Sequence, residues 1–158
     1  CNGGDTITAY EYVYKVGGLE QNDTYRYTSG AQGDSGNCSV TPSRFNASIS
    51  QAFFVSRGAT EESNMLREIG RTPMSVCVDA EIWQTYKSGV ITNTSGCTRN
   101  LNHCVQVVGF NSSANYWIVR NSWGEDWGNR GYIWVAQGAN ICGIAEQATV
   151  VMASVPPG

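Results

Sequence analysis

The stretch "LNHCVQVVGF" contains His103, the only histidine of the chain, with Cys104 directly beside it. Its apolar residues predict a strand, and neighbouring strand residues point to opposite faces of a sheet. Cys104 is therefore not expected to pair with His103. If the imidazole acts as an acid or base, its nucleophile lies elsewhere. The alternative is a histidine with a purely structural role.

Asn121 follows His103 by 18 residues, a separation that suits two strands joined in one hairpin. A catalytic imidazole needs a third group to fix its orientation and tautomer, and an asparagine carbonyl can accept its N–H. An indole that excludes water strengthens such a hydrogen bond, and Trp123 and Trp127 are the candidates. The alternative for "YWIVRNSWGEDWGNRGY" is a glycine-rich turn with tryptophans in the core.

The elements that would position these residues are a helix-bearing first third and a β-rich remainder. Apolar residues at helical spacing predict a helix near the start, and residues 18–50 read as a long irregular region. "TEESNMLREIG" predicts a short helix with Thr60 as N-cap and Gly70 at its end. Strands are predicted in "ASISQAFFVS", "PMSVCVDA", "HCVQVVGF", "NYWIVRNS", "GYIWVAQ" and "ATVVMA". The fold class is α+β, with antiparallel strands.

Charge and hydropathy restrict the partners of the chain. Its 158 residues carry a formal net charge of −3 without any cluster of Lys and Arg. Nucleic acid and anionic membranes are therefore not expected partners. The longest apolar runs are too short to span a bilayer.

Cysteines and sequons indicate the compartment. None of the six cysteines are spaced as CxxC, so a zinc site is not expected. Cysteines together with five N-x-S/T sequons favour a secretory or lysosomal-type compartment over the cytosol. Because the sequence begins with Cys1 rather than Met, we expect a processed or incomplete chain. The sequons lie at Asn22, Asn37, Asn46, Asn93 and Asn111.

Four motifs together resemble the papain-like cysteine peptidases, the cathepsin family. They occur in the family's order: "CNGG", "NHCVQVVGF", "YWIVRNSWGEDWGNRGY" and "CGIA". The resemblance implies the C-terminal two-thirds of a papain-like two-domain fold. Residues 1–55 would be a remnant of the helical domain, and residues 56–158 an antiparallel, β-barrel-like domain carrying the His/Asn pair. It implies no metal and no organic cofactor.

The resemblance also implies a role for individual residues. His103 is similar to the histidine that pairs with a cysteine nucleophile, and Asn121 to the asparagine that orients it. Trp123 is similar to the indole that covers this pair and walls the leaving-group side of the cleft. Gly3 and Gly4 resemble the glycines whose backbone binds substrate as an added strand.

A substrate pocket is implied by the same resemblance. It would take the side chain of the second residue before the scissile bond. Asp5, Cys77, Asn102 and Cys104 would form its walls, and Gln147 its floor. Such a pocket usually takes an apolar side chain, and a polar floor would widen its tolerance. The alternative for Gln147 is a solvated strand residue.

One part of the family pattern is missing. The family nucleophile lies in a C-G-[SA]-C-[WY] motif, which none of the six cysteines has. Counting back from His103 places the nucleophile ~27–47 residues before Cys1. The glutamine of the oxyanion hole would lie just ahead of it. Cys1 as an N-terminal nucleophile is an alternative, but the resemblance makes Cys1 half of a disulfide.

The remaining cysteines are assigned by the resemblance as well. Cys97 and Cys142 match a family disulfide, whose loop of about 45 residues would contribute ~3–4 kcal/mol. Cys38, like Cys1, matches a disulfide half whose partner lies upstream. Cys77 and Cys104 lie on strands expected to be neighbours. If the two residues are opposite each other, with Cα atoms ~4.5–5.5 Å apart, a bridge is possible. The alternative is two free buried thiols.

The activity implied is peptide-bond hydrolysis by an endopeptidase of the lysosome, the endosome or the extracellular space. Its partners would be a peptide or protein substrate and the missing N-terminal segment of the same precursor. In the complete enzyme, a thiolate of lowered pKa would pair with protonated His103. The alternatives are an inactive homologue that acts as a binding or storage protein and a structural glycoprotein fragment without a cleft.

Overall fold

The computed structural model of the protein describes residues 3–92 and 96–154. It divides the chain into two compact units: residues up to Phe53 with those from Val151 onward, and Phe54–Val150. These units are defined by packing, so the predicted domain bounds of 1–55 and 56–158 remain a prediction. The disulfide half expected at Cys1 and the sequon at Asn93 lie outside the described residues.

Helix α1 (Thr6–Val16) opens the first unit, as its helical spacing predicts. It begins after Asp5, whose carboxylate accepts hydrogen bonds from Thr8 N at 2.9 Å and from Thr8 Oγ1 at 2.8 Å. It ends at Gly17, whose φ of 98° is a left-handed conformation that glycine adopts without a steric cost. Both ends of α1 are thus set by adjacent residues, and Val13 is buried beneath it.

The region predicted to be irregular, 18–50, contains short elements. They are strand β1 (Leu19–Glu20), helix α2 (Ser29–Gln32), a 3₁₀ turn (Pro42–Arg44) and the start of strand β2 (Phe45–Ser56). Strands β1 and β2 pair antiparallel. Gly18 lies so close to β2 that a Cβ there would be 2.7 Å from Ala47 O, so this approach requires glycine.

Helix α3 (Glu62–Ile69) lies in the second unit and ends at Gly70, as predicted. The prediction of Thr60 as its N-cap is wrong. Thr60 lies inside a 3₁₀ turn, Ala59–Glu61, that precedes the helix, and the N-cap position falls on Glu61. The Glu61 side chain accepts a hydrogen bond from Arg57 N at 2.8 Å, so it closes this turn instead of capping α3.

The sheet of the second unit contains the strands predicted for it, together with one that was not. Its order is β8-β3-β5-β6-β7-β4, and its pairs are antiparallel except β4–β7. Strand β4 has two residues, too few for a periodic signal, and its parallel pairing is the exception to the antiparallel prediction. The strands are β3 (Met74–Val78), β4 (Val90–Ile91), β5 (His103–Asn111), β6 (Tyr116–Arg120), β7 (Tyr132–Ala136) and β8 (Ala148–Ser154).

The core of the second unit forms where one face of this sheet meets α3. Alternate strand residues such as Val107, Val119 and Ile133 are fully buried, and Met65 of α3 packs among them. Each such side chain contributes about 1.5–3 kcal/mol through its removal from water. Within the described residues, no helix has both the length and the apolar character needed to cross a membrane.

Candidate active site

His103 and Asn121 are brought together by the β5–β6 hairpin. His103 is the first residue of β5 and is opposite Val78 of β3, while Asn121 directly follows β6. The two strands pair antiparallel, as the 18-residue separation predicts. His103 Nε2 lies 2.8 Å from Asn121 Oδ1, so the predicted hydrogen bond is present.

A backbone donor fixes the direction of this hydrogen bond. Ser122 N donates to Asn121 Oδ1 at 2.8 Å, so this atom of the side-chain amide must be the carbonyl oxygen. His103 Nε2 therefore carries a proton and donates it to Asn121. The other ring nitrogen, Nδ1, is left for a second partner, which is the arrangement a cysteine–histidine pair needs.

Two indoles in edge-on contact support the imidazole. Trp123 lies over His103 with ring centroids 5.1 Å apart and planes inclined by 24°. Trp127 meets Trp123 edge-on at 5.1 Å, and its Nε1 donates to Trp83 O at 3.0 Å. Trp83 is fully buried, so these aromatic contacts run from the core of the unit to the 38% exposed Trp123. Of the two predicted candidates, Trp123 covers the His103 ring and Trp127 holds Trp123 in place.

The loop between β6 and β7 is held by its own backbone. Asn121 N donates to Gly131 O at 2.9 Å, and Gly131 N donates to Trp127 O at 2.7 Å. Gly128 has a φ of 58°, and a Cβ on it would be 2.7 Å from Tyr132 O. A side chain cannot be accommodated at Gly128, so the glycines of this motif permit the tight path that places Asn121 and Trp123 against His103.

Comparison with known families rests on almost the whole sequence. Residues 1–152 match the family described as papain family cysteine protease. The chain belongs to the papain family of cysteine proteases. The resemblance inferred from four motifs is therefore confirmed at the level of the family.

Relatives of this papain-family chain include a probable cysteine protease of Arabidopsis thaliana. It is 37% identical over 163 residues, which cover 98% of this chain and 44% of that protein. A viral cathepsin of Spodoptera exigua nuclear polyhedrosis virus (strain US) is 36% identical over 151 residues, covering 93% of this chain and 42% of the viral protein. The chain thus spans less than half the length of these curated relatives.

Solved structures of the family have the same fold. Bromelain protease from Ananas comosus, solved with an inhibitor, has a TM-score of 0.82 and 33% identity, covering 96% of this chain and 71% of that chain. Digestive procathepsin L2 proteinase from the larval midgut of Tenebrio molitor has a TM-score of 0.83 and 33% identity. The match covers 95% of this chain and 47% of that chain. The predicted α+β papain-like fold is therefore confirmed.

Two disulfides form in the second unit of this papain-family chain. Cys77 and Cys104 are directly opposite each other on β3 and β5, with Cα atoms 3.9 Å apart, and they form a disulfide. The Cα atoms are closer than the predicted 4.5–5.5 Å. Because Cys104 is bonded to β3 while His103 reaches Asn121, the two neighbours serve different partners, as strand alternation predicts. Cys97 and Cys142 form the second bridge.

The residues predicted to bind substrate lie in both units. Gly3, Gly4 and Asp5 belong to the first unit, and the Asp5 carboxylate caps α1. Cys77, Asn102, Cys104 and Gln147 belong to the second. Gln147 precedes β8 and is half-buried, and its carbonyl oxygen accepts a hydrogen bond from Cys77 N at 3.2 Å. Its position next to the disulfide is compatible with the expected pocket floor, and its role remains a prediction.

Asp79 is a buried acid that the sequence patterns did not identify. It follows β3, is 2% exposed, and accepts hydrogen bonds from Thr98 and Asn102 side chains and from the backbone N–H groups of Glu81 and Thr98. Burial raises the pKa of the Asp79 carboxyl, but these hydrogen bonds outweigh burial and hold the pKa below its usual value. Asp79 is therefore ionised near neutral pH and binds the segment that leads to His103.

Cys38, in the first unit, is the free cysteine among the described residues and is exposed. A hydrogen bond with the Tyr12 hydroxyl, followed by one from Val40 N, lowers the pKa of its thiol. The thiol lines a cavity of about 950 Å³ formed by residues 20–44. This cavity contains neither His103 nor Asn121. The expectation of an unpaired Cys38 in this chain therefore agrees with the structure.

Proposed function

We propose that the protein, when complete, is a cysteine endopeptidase that uses Cys-His-Asn chemistry. The observation that carries the proposal is the His103 Nε2–Asn121 Oδ1 hydrogen bond, whose direction is set by Ser122 N. It leaves His103 Nδ1 for a thiol, and Trp123 covers the ring. A segment N-terminal to Cys1 would supply the nucleophile and the oxyanion-hole glutamine.

The reaction follows from this arrangement. The cysteine gives its proton to His103 Nδ1 and its thiolate attacks the peptide carbonyl carbon. The carbon–nitrogen bond breaks as His103 Nδ1 returns that proton to the leaving amine, which leaves a thioester. His103 then takes a proton from water, whose oxygen attacks the thioester, and the thiol is regenerated as the acid leaves. Asn121 holds the ring in one orientation through both steps.

The buried side-chain NH₂ group of Asn121 supports the proposal that a further segment completes the site. Asn121 is 8% exposed, and its Nδ2 has no acceptor within the part of the chain that the structure describes. A buried donor left without an acceptor costs about 1–3 kcal/mol. A carbonyl oxygen supplied by the upstream segment would remove this cost, so the proposed segment would complete the site structurally as well as chemically.

Substrate binding is proposed at a pocket of the second unit, with walls formed by Cys77, Asn102 and Cys104 and a floor formed by Gln147. The Cys77–Cys104 disulfide gives this wall a rigid, apolar surface. The Asn102 amide already binds Ala80 N and Asp79, so we propose that it contributes its carbon atoms rather than hydrogen bonds. Gly3 and Gly4 would bind the substrate backbone, where the absence of a Cβ permits close approach.

We also propose a lysosomal, endosomal or extracellular location. Two disulfides suit an oxidising compartment. Among the sequons, Asn22, Asn37 and Asn46 are exposed, so all three are accessible to glycosylation. Asn111 is half-buried and its Nδ2 donates to the Tyr116 hydroxyl at 3.3 Å, so we expect it to be unmodified.

The experiment compares residues 1–158 with a longer chain that includes about 60 upstream residues. We expect thiol-dependent hydrolysis of a peptide substrate by the longer chain, none by residues 1–158, and none by the longer chain with His103→Ala. The alternative of an inactive homologue is decided by the same assay. A longer chain with Ser or Gly at the nucleophile position and no hydrolysis would support that alternative and contradict the peptidase.

A further inference from the structure

Asp79 is a buried carboxylate without a charged partner among the described residues. The ion pairs found there join Arg71 to Glu68 and Arg99 to Glu146, and neither includes Asp79. A buried charge of this kind is tolerated only when hydrogen bonds replace the water it has lost. The residues that donate hydrogen bonds to Asp79 therefore identify the segment whose conformation its carboxylate stabilises.

Those donors come mainly from the segment that enters β5. Asp79 Oδ2 accepts a hydrogen bond from Thr98 N at 2.9 Å and another from the Thr98 hydroxyl. Asp79 Oδ1 accepts from Asn102 Nδ2 at 3.4 Å and from Glu81 N at 3.0 Å. Thr98 and Asn102 are the two ends of a five-residue stretch, so a single carboxylate binds the stretch at both ends.

Asn102 is held by more than Asp79. Its backbone N donates to Val78 O at 3.0 Å, and its side-chain Oδ1 accepts from Ala80 N at 2.9 Å. Asn102 directly precedes His103, so a change in its backbone conformation turns the His103 imidazole. A shift of about 1 Å at a reacting group is sufficient to cost 10²-fold in rate.

We propose that Asp79 is a positioning residue for His103. Its carboxylate fixes Thr98 and Asn102, and these two residues set the backbone conformation from which the imidazole projects toward Asn121. The inference rests on the proposed function, because the orientation of His103 affects a rate only if His103 acts on the nucleophile.

A purely structural role for Asp79 is the competing explanation, and Glu62 offers a matched control. Glu62 is also buried, at 4% exposure, and its carboxylate accepts hydrogen bonds from Trp117 Nε1, Gly138 N and Asn140 N at 2.8–2.9 Å. These donors lie on β6 and in the segment after β7. Glu62→Gln should therefore destabilise the unit as Asp79→Asn does, without reaching the residues next to His103.

The first measurement is steady-state kinetics in the longer chain, at a temperature where circular dichroism shows each variant to be folded. Asp79→Asn keeps the shape of the side chain but sets an NH₂ group against Thr98 N–H or Asn102 Nδ2. We expect kcat to fall about 10- to 100-fold with little change in KM, since orientation acts in the transition state. Thr98→Val removes the hydroxyl that donates to Asp79 and accepts from Asn100 N at 3.2 Å, but keeps the Thr98 N–H bond to Asp79, so it should give a smaller fall. Glu62→Gln should retain the parent kcat.

The second measurement is the NMR signal of the His103 ring, assigned with His103→Gln. Asp79→Asn and Thr98→Val should shift or broaden it, and Glu62→Gln should leave it in place. Equal kcat values in Asp79→Asn and Glu62→Gln, or an unchanged ring signal, would overturn the proposal. If Asp79→Asn does not fold, Thr98→Val carries both measurements. If the parent longer chain cleaves no peptide, the proposed function fails, and the ring signal still decides whether Asp79 positions His103.

Discussion

At the scale of single residues, one hydrogen bond between His103 and Asn121 carries the proposed mechanism. Its 2.8 Å length and the covering indole make it a short, shielded contact. Ser122 N allows only one orientation of the asparagine amide, and therefore only one neutral tautomer of the imidazole. In the proposed mechanism, Asn121 therefore acts through His103 rather than on substrate.

Asn121→Ala in the longer chain tests this role. The substitution removes the acceptor of His103 Nε2–H and frees the ring to rotate, so we expect kcat to fall by about 10²-fold while KM changes little. Asn129→Ala in the same loop is the control, because Asn129 is exposed and its hydrogen bonds with Tyr132 are made by backbone atoms. Steady-state kinetics on a peptide substrate measures both, and an unchanged kcat in Asn121→Ala would remove it from the mechanism.

Asp79 makes a second prediction at this scale, concerning stability and pH. The folded-state pKa of its carboxyl lies below the ordinary value, which is about 3.9 in an unfolded chain. The folded state therefore gains from the charge above that ordinary value, and the gain is lost as the pH falls through the folded pKa. Asp79→Asn should lower the free energy of unfolding by roughly 2–3 kcal/mol at pH 7.

Urea unfolding of the parent and Asp79→Asn from pH 2.5 to pH 7 measures this difference. The two free energies of unfolding should converge as the pH falls through the folded pKa of Asp79, because the parent carboxyl then becomes neutral. A difference that stays constant across the range would show that the charge of Asp79 does not contribute.

At the scale of secondary structure, α3 is attached to the sheet by one acid. Glu62 lies in its first turn and accepts hydrogen bonds from Trp117 of β6 and from the backbone of Gly138 and Asn140. An acid in a first turn is also favoured by the helix dipole. The carboxylate thus joins the helix, the strand and the segment after β7 at one buried point.

Glu62→Ala should accordingly destabilise the protein strongly. It leaves two buried donors, Trp117 Nε1 and Asn140 N, without an acceptor. Each costs about 1–3 kcal/mol, so the loss should be at least about 2 kcal/mol. Glu68→Ala on the same helix is the control, because its ion-pair partner Arg71 is exposed and such a pair should contribute less than about 1 kcal/mol. Denaturant unfolding compares the two, and similar losses would contradict an attachment through Glu62.

At the scale of the whole molecule, the thiol of Cys38 provides a test of the proposed upstream segment. It is exposed and lines a cavity, whereas the four cysteines of the second unit are paired. The resemblance assigns Cys38 a disulfide with an upstream cysteine. The longer chain should therefore protect a thiol that residues 1–158 leave reactive.

Alkylation under non-reducing conditions, followed by peptide mapping, tests this assignment. Cys38 should be labelled in residues 1–158 and protected in the longer chain, while the Cys77–Cys104 and Cys97–Cys142 peptides stay linked in both. Cys38→Ser in residues 1–158 is the control that identifies the labelled peptide. Labelling of Cys38 in a folded longer chain would show that it has no upstream partner.

The sequence by itself was sufficient to predict the pairing of His103 with Asn121, the hairpin that joins them and the family. Strand alternation separated His103 from Cys104, and the spacing to Asn121 gave the hairpin, because both depend on residues close together in the chain. Tertiary structure alone decided the tautomer of His103 and the order in which the indoles contact one another. It also decided the hydrogen bonds of Asp79 with Thr98 and Asn102, which lie 19 and 23 residues away. The prediction of Thr60 as an N-cap was wrong because this residue lies inside the 3₁₀ turn that precedes the helix. Contacts of this kind depend on how distant segments pack, and no local pattern of residue types encodes them.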